Sequence, residues 1–275
     1  MIIPTDEWLQ SLNEKMRQED VPIRERPWKA IDYYQKEFGA ESTLLASPEA
    51  KKIFSWFKAN TKPGEFAIGV LYKGVFLFDG IFWEVYVPHF YGTVSLPMYN
   101  YLKDMTESLK LKIIENLPDH NNYCVLYESL VEYANLKTIV EHPSGRYYGK
   151  NDFLINGNLK MNSIVLMLLE KNPNQCAAIG CSEAIELFLK SILNVKFEYT
   201  VNTLKKKFGH NIEALFSTVV MHTQDNQLKS LEYAVGKFPG MEKRYDSAQL
   251  NNNELWNLYF VTQMIATCSM RILAS

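Results

Sequence analysis

Two short stretches combine cationic and aromatic side chains at a density suited to anionic, base-bearing ligands. Arg146, Tyr147, Tyr148 and Lys150 sit between Gly145 and Asn151. There the charged groups can neutralise phosphate while phenol rings stack a base. The competing reading is a connection whose tyrosines anchor it to an adjoining domain. In the second stretch, Lys205, Lys206 and Lys207 precede Phe208, Gly209 and His210. Lysines that close a helix offset its dipole, so this run is either a solvated helix end or an exposed positive tip for nucleic acid.

Other chemistries find less support. The stretch from Gly145 to Asn151 has one residue too few between its glycines for a phosphate loop, and Asn151 replaces the metal-binding hydroxyl. His89, His120, His142, His210 and His222 never fall three or four residues apart, so no preformed metal site is expected. Cys176 and Cys181 are separated by about 140° around a helix. They read as buried structural thiols and not as a redox pair. A nucleophile elbow and a Gly-rich dinucleotide turn are both missing, and no cofactor is expected.

These groups belong to a chain of 275 residues, long enough for about two domains. Hydrophobic residues make up 47%, charged residues 22%, and the formal net charge is −2. That balance excludes a disordered chain or an extreme polyelectrolyte. The first ten residues do not read as a leader, and the most apolar region is interrupted by Lys73, Asp79 and Glu84. A cytoplasmic protein without a membrane partner is expected, and the four cysteines suit a reducing compartment.

Helix signals open the chain: Thr5 before Asp6 and Glu7, Pro27 with Gly39 as a stop, and Ser47 before Pro48 and Glu49. From Phe66 to Val87, aromatic and β-branched runs divided at Lys73-Gly74 and Asp79-Gly80 predict a three-stranded antiparallel meander. One face should pack on helices, with the exposed remainder available to a ligand. Helical patterns follow to about Asn116, where Pro118 intervenes, and from Asn121 to Leu136. Turn formers between Val140 and Asn158, among them Gly157, place a domain boundary near residue 155. Beyond it Cys181, Ile185, Phe188 and Ile192 form one helical seam, and Leu258, Val261, Ile265, Cys268 and Ile272 another, with shorter helices between. The fold class is therefore α+β: N-terminal helices with a small antiparallel meander (1–155), then an all-α helical bundle (156–275).

Within the second part, the helix from Cys181 to Leu193 is followed by Gly209-His210-Asn211-Ile212-Glu213-Ala214-Leu215-Phe216, then Glu242-Lys243-Arg244-Tyr245 and a long final helix. In order and spacing, these blocks resemble the HEPN domain over residues 158–275. The resemblance implies an antiparallel helical bundle, a homodimer, and a setting in stress response or phage defence. Many HEPN domains are metal-independent ribonucleases in which an Arg, followed four to six residues later by a His, lines the cleft between protomers. This chain departs from that pattern, because no histidine follows Arg244 at the required distance. The resemblance therefore points to a noncatalytic HEPN-like protein that binds RNA, a nucleotide or a protein partner. Its candidate contacts are Arg244, Tyr245, His210, Lys206, Arg146 and Lys150.

Each of these residues also has a structural reading. His210 or Asn211 can cap the following helix, and Arg244 can pair with Glu183 or Glu186. Two other functions stand beside the first. One is a ribonuclease with an altered site built from Arg244, Tyr245 and His210. The other is a ligand sensor that uses the meander.

Overall fold

Asp79 and Gly80 both adopt positive φ, 53° and 74°, the requirement of a type I′ turn. They join β1 (Tyr72–Phe78) to β2 (Ile81–Val87) as an antiparallel pair, with Phe78 opposite Ile81 and Tyr72 opposite Val87. This computed structural model describes residues 3–21, 23–38, 47–60, 70–88, 98–141, 152–173, 176–239 and 250–275. Among them the sheet has two strands. The first run of the expected meander lies mostly in 61–69, outside the described residues.

The turn expected at Lys73-Gly74 is not there. Both residues sit inside β1, paired with Tyr86 and Val85. Gly74 serves close approach instead: a Cβ built on it would stand 2.7 Å from a Leu130 methyl and 2.8 Å from the Tyr259 hydroxyl. Both faces of β1 are covered, with Val75, Phe76, Leu77 and Phe78 all buried.

The chain divides into two compact units, Met1–Val70 with His89–Val94, and Leu71–Pro88 with Ser95–Ser275. The first contains α1 (Asp6–Gln18), α2 (Arg26–Phe38) and α3 (Pro48–Asn60). Thr5 caps α1 by accepting a bond from the Trp8 N–H, and the Ser47 hydroxyl accepts one from the Ala50 N–H before α3. Leu9 and Met16, Ala30 and Tyr34, and Ile53 and Phe57 supply its buried core. Gly39, the expected stop of the second helix, lies outside the described residues.

The second unit contains the hairpin and α4 (Glu107–Glu115), α5 (Leu117–Val140), α6 (Asp152–Leu168), α7 (Cys176–Lys196), α8 (Val201–Phe208), α9 (Ile212–Thr223), α10 (Asn226–Ser230), α11 (Glu232–Val235) and α12 (Asn252–Ala274). Asn116 ends α4 and caps α5, so Pro118 stands in the first turn of α5, where its missing N–H costs nothing. α7 packs against α6, α9 and α12, α12 also packs against α5, and β1 rests on α5, α6 and α12.

One hydrophobic core runs from Tyr72 through Phe188 to Leu273, drawing on helices from both sides of residue 155. Gly157, expected in a turn, lies within α6, where a Cβ would come 3.3 Å from the Phe188 ring. A buried polar band ties the elements together. Tyr72 donates to Gln263 at 3.3 Å, Gln263 donates to Thr267 at 3.3 Å, and the Thr267 and Ser129 hydroxyls lie 2.7 Å apart. Each link removes a buried polar group from the cost of standing unpaired.

Candidate functional site

The turn between α8 and α9 is built around Gly209, whose φ of 54° reverses the chain. α8 finishes with Lys205, Lys206 and Lys207, all exposed, which places three positive charges on its carbonyl end. The Lys207 ammonium lies over the rings of Phe208 and Tyr199, at 5.1 and 5.4 Å. Lys205 and Lys206 extend the positive charge along the same exposed helix end.

His210 follows immediately. Its Nδ1 lies 2.9 Å from Oε2 and 3.2 Å from Oε1 of Glu186 on α7. Lys190, one helical turn beyond Glu186, places Nζ 2.6 Å from Oε1 and donates to the Gly209 carbonyl at 2.7 Å. Four-residue spacing puts Glu186 and Lys190 on one face of α7, which grips both the backbone and the side chain of the turn.

The exposures differ along this constellation. The Glu186 and Lys190 side chains are 11% and 9% exposed, whereas His210 is 58% exposed. An ionised carboxylate only accepts, so Nδ1 of His210 carries the proton and Nε2 is turned toward a ligand or solvent. The arrangement is thus a fixed, outward imidazole on a buried carboxylate–ammonium pair. As imidazolium it can donate a charge-assisted hydrogen bond from Nε2 to a phosphate oxygen, whereas the neutral ring offers only an acceptor there.

One structural alternative is now decided. Asn211 caps α9, its Oδ1 accepting from the Ala214 N–H at 2.9 Å, and His210 instead turns back to Glu186. Glu183 binds Lys160 at 2.6 Å, while Glu186 binds Lys190 and His210. Of the six contact candidates, the structure places His210 and Lys206 in one turn region. Arg146, Lys150, Arg244 and Tyr245 lie outside the described residues, as do Tyr147 and Tyr148. Lys190 was missed by reading the sequence, although Glu186-x-x-x-Lys190 is a spacing that marks a paired helix face.

The cysteines are split by the same helical rotation that separates them. Cys181 is buried on the α7 seam, and burial pushes its thiol up to about 12. Cys176 opens α7 and is exposed, contrary to the expected burial of both. Arg271 near the end of α12 makes a two-pronged ion pair with Glu132, at 2.7 and 3.0 Å.

A cavity of about 340 Å³ lies at the hairpin turn, lined by Phe76, Asp79, Asp119, Asn122, Asn253 and Asn257 among others. Among the described residues no cluster of three or more His, Cys, Asp or Glu side chains is arranged to hold a metal. No helix among them is long and apolar enough to cross a membrane. Comparison of the chain with protein-family models, with curated proteins and with solved structures gave no match.

Proposed function

We propose that this chain is a noncatalytic HEPN-like protein whose α8–α9 turn binds the phosphate backbone of RNA. The observation that carries the reading is His210, presented to solvent by the buried Glu186–Lys190 pair beside the lysine-rich end of α8. Phosphate recognition needs cationic or N–H donors held at the surface with little freedom left to lose. Arg244 and Tyr245 are the further contacts that the family resemblance supplies, with Arg146 and Lys150 as a second basic, aromatic patch. Ile155, Leu159 and Leu166 form an exposed apolar stripe on α6, a face suited to the proposed homodimer.

Equilibrium titration of single-stranded RNA tests the proposal. Binding should weaken as salt rises, because phosphate contacts release counterions. Lys206→Ala should weaken binding similarly across sequences and lower the salt slope by about 0.7–1. Arg244→Ala and His210→Ala should each weaken it further. No binding, or binding indifferent to all three substitutions, would sink the proposal.

A second reading rests on the Glu186–His210 bond itself. A carboxylate that fixes one imidazole nitrogen leaves the other positioned for proton transfer, as a metal-independent ribonuclease requires. Incubation of a labelled RNA pool in chelator distinguishes the two. Cleavage that disappears in His210→Ala supports the nuclease, and intact RNA that is nevertheless bound supports the noncatalytic protein.

A further inference from the structure

A second constellation lies in the same compact unit, where the 3-10 turn Met98–Tyr101 meets the first turns of α5. His120 and Cys124 are four residues apart and share one face of α5, with Cys124 Sγ 3.6 Å from His120 Nε2. The Met98 thioether sulfur stands 3.7 Å from the same Sγ. At the other ring nitrogen, the Tyr99 hydroxyl lies 2.5 Å from Nδ1. The four side chains are all partly exposed, so solutes can reach them.

We propose that Met98, His120 and Cys124 form a binding site for a single monovalent copper ion. Thiolate, imidazole and thioether donors bound at about 2.0–2.3 Å with trigonal to tetrahedral angles are separated by about 3.5–4.0 Å. The two separations seen here fall within that range, so an ion can enter with little rearrangement. Ligand type selects the metal. A thioether is a soft donor that zinc sites seldom use, and a set with two sulfurs and one imidazole favours monovalent copper over zinc, magnesium or calcium.

Tyr99 supplies the outer partner such a site requires. An imidazole that binds metal through Nε2 carries its proton on Nδ1, and that N–H needs an acceptor. The Tyr99 oxygen is placed to accept it. Tyr123 in turn donates to the Met98 carbonyl at 2.6 Å, which fixes the backbone carrying the thioether. Binding releases the Cys124 thiol proton to solvent, and the copper undergoes no change of oxidation state.

The test is an anaerobic competition titration of the full chain with monovalent copper against a chromophoric copper(I) chelator. One equivalent should be retained. Cys124→Ser should weaken retention more than about 100-fold, and Met98→Leu and Tyr99→Phe about 10-fold or more, the range expected for losing a ligand or its outer partner. Cys176→Ser should change nothing. X-ray absorption of the wild-type copper complex gives a readout independent of any variant's folding, and two sulfurs with one imidazole nitrogen are expected. A spectrum with fewer than two sulfur donors, retention unaffected by Cys124→Ser, or tighter binding of zinc than of copper would overturn the assignment.

Discussion

Gly74 in β1 and Tyr259 in α12 meet across the core: the phenol oxygen accepts the N–H of Val75 at 3.3 Å and leaves no room for a side chain at position 74. The hairpin is thereby docked by backbone onto a helix, a closer approach than side-chain packing alone allows.

Gly74→Ala should destabilise the protein by about 1–3 kcal/mol through overpacking against Leu130 and Tyr259. Urea denaturation should show a lower midpoint with an unchanged slope. Gly80→Ala meets no neighbour, and its smaller cost, about 1 kcal/mol, should come from the positive φ alone.

Removing one member of the Glu186–Lys190 pair should cost more than removing both. Glu186→Leu strands a mostly buried ammonium and should lose about 3–5 kcal/mol, whereas Glu186→Leu with Lys190→Met should recover much of that loss. A double-mutant cycle by chemical denaturation measures the difference. His210→Ala leaves the pair intact and should alter stability little, which separates its binding role from a structural one.

Glu84 gives the acid limb of stability a definite sign. Its burial alone would raise its pKa, but hydrogen bonds from Lys73 and Lys103 together outweigh this and hold the carboxyl below its ordinary value of 4.5. A group whose pKa is lower when folded contributes stability that is fully present above its ordinary, unfolded value. That contribution is lost as pH falls through the folded value. Thermal midpoints measured from pH 6 down to pH 2 should therefore fall less steeply for Glu84→Gln than for the wild type.

The thiols should react in two classes. Burial pushes Cys268 up to about 11 and Cys181 up to about 12, so at pH 8 both remain thiols shielded from reagent. Alkylation of native protein read by mass spectrometry should modify Cys176 and Cys124 while sparing the other two. Denaturant should make all four reactive.

What the sequence revealed follows the range over which each interaction acts. Asp79-Gly80 is a complete local instruction, so the hairpin turn was legible, as were the caps at Thr5 and Ser47. Gly74 and Gly157 carry no such instruction, because the groups that demand glycine there, Tyr259 and Phe188, arrive from distant segments. His210 was legible as a candidate, but its partner lies 24 residues away and Lys190 acts through the backbone of Gly209. His120 and Cys124 do share a visible four-residue spacing. Met98, 26 residues before Cys124, joins them only through folding.

The bond between Tyr72 and Gln263 spans 191 positions. A ribosome adding about 5–20 residues per second needs about 10–40 s to deliver the second partner after the first. Throughout that interval β1 lacks α12, one of the three helices on which it rests. Until it arrives, the α12-facing part of β1 has no cover, and chaperone occupancy of the hairpin segment would guard that surface against aggregation.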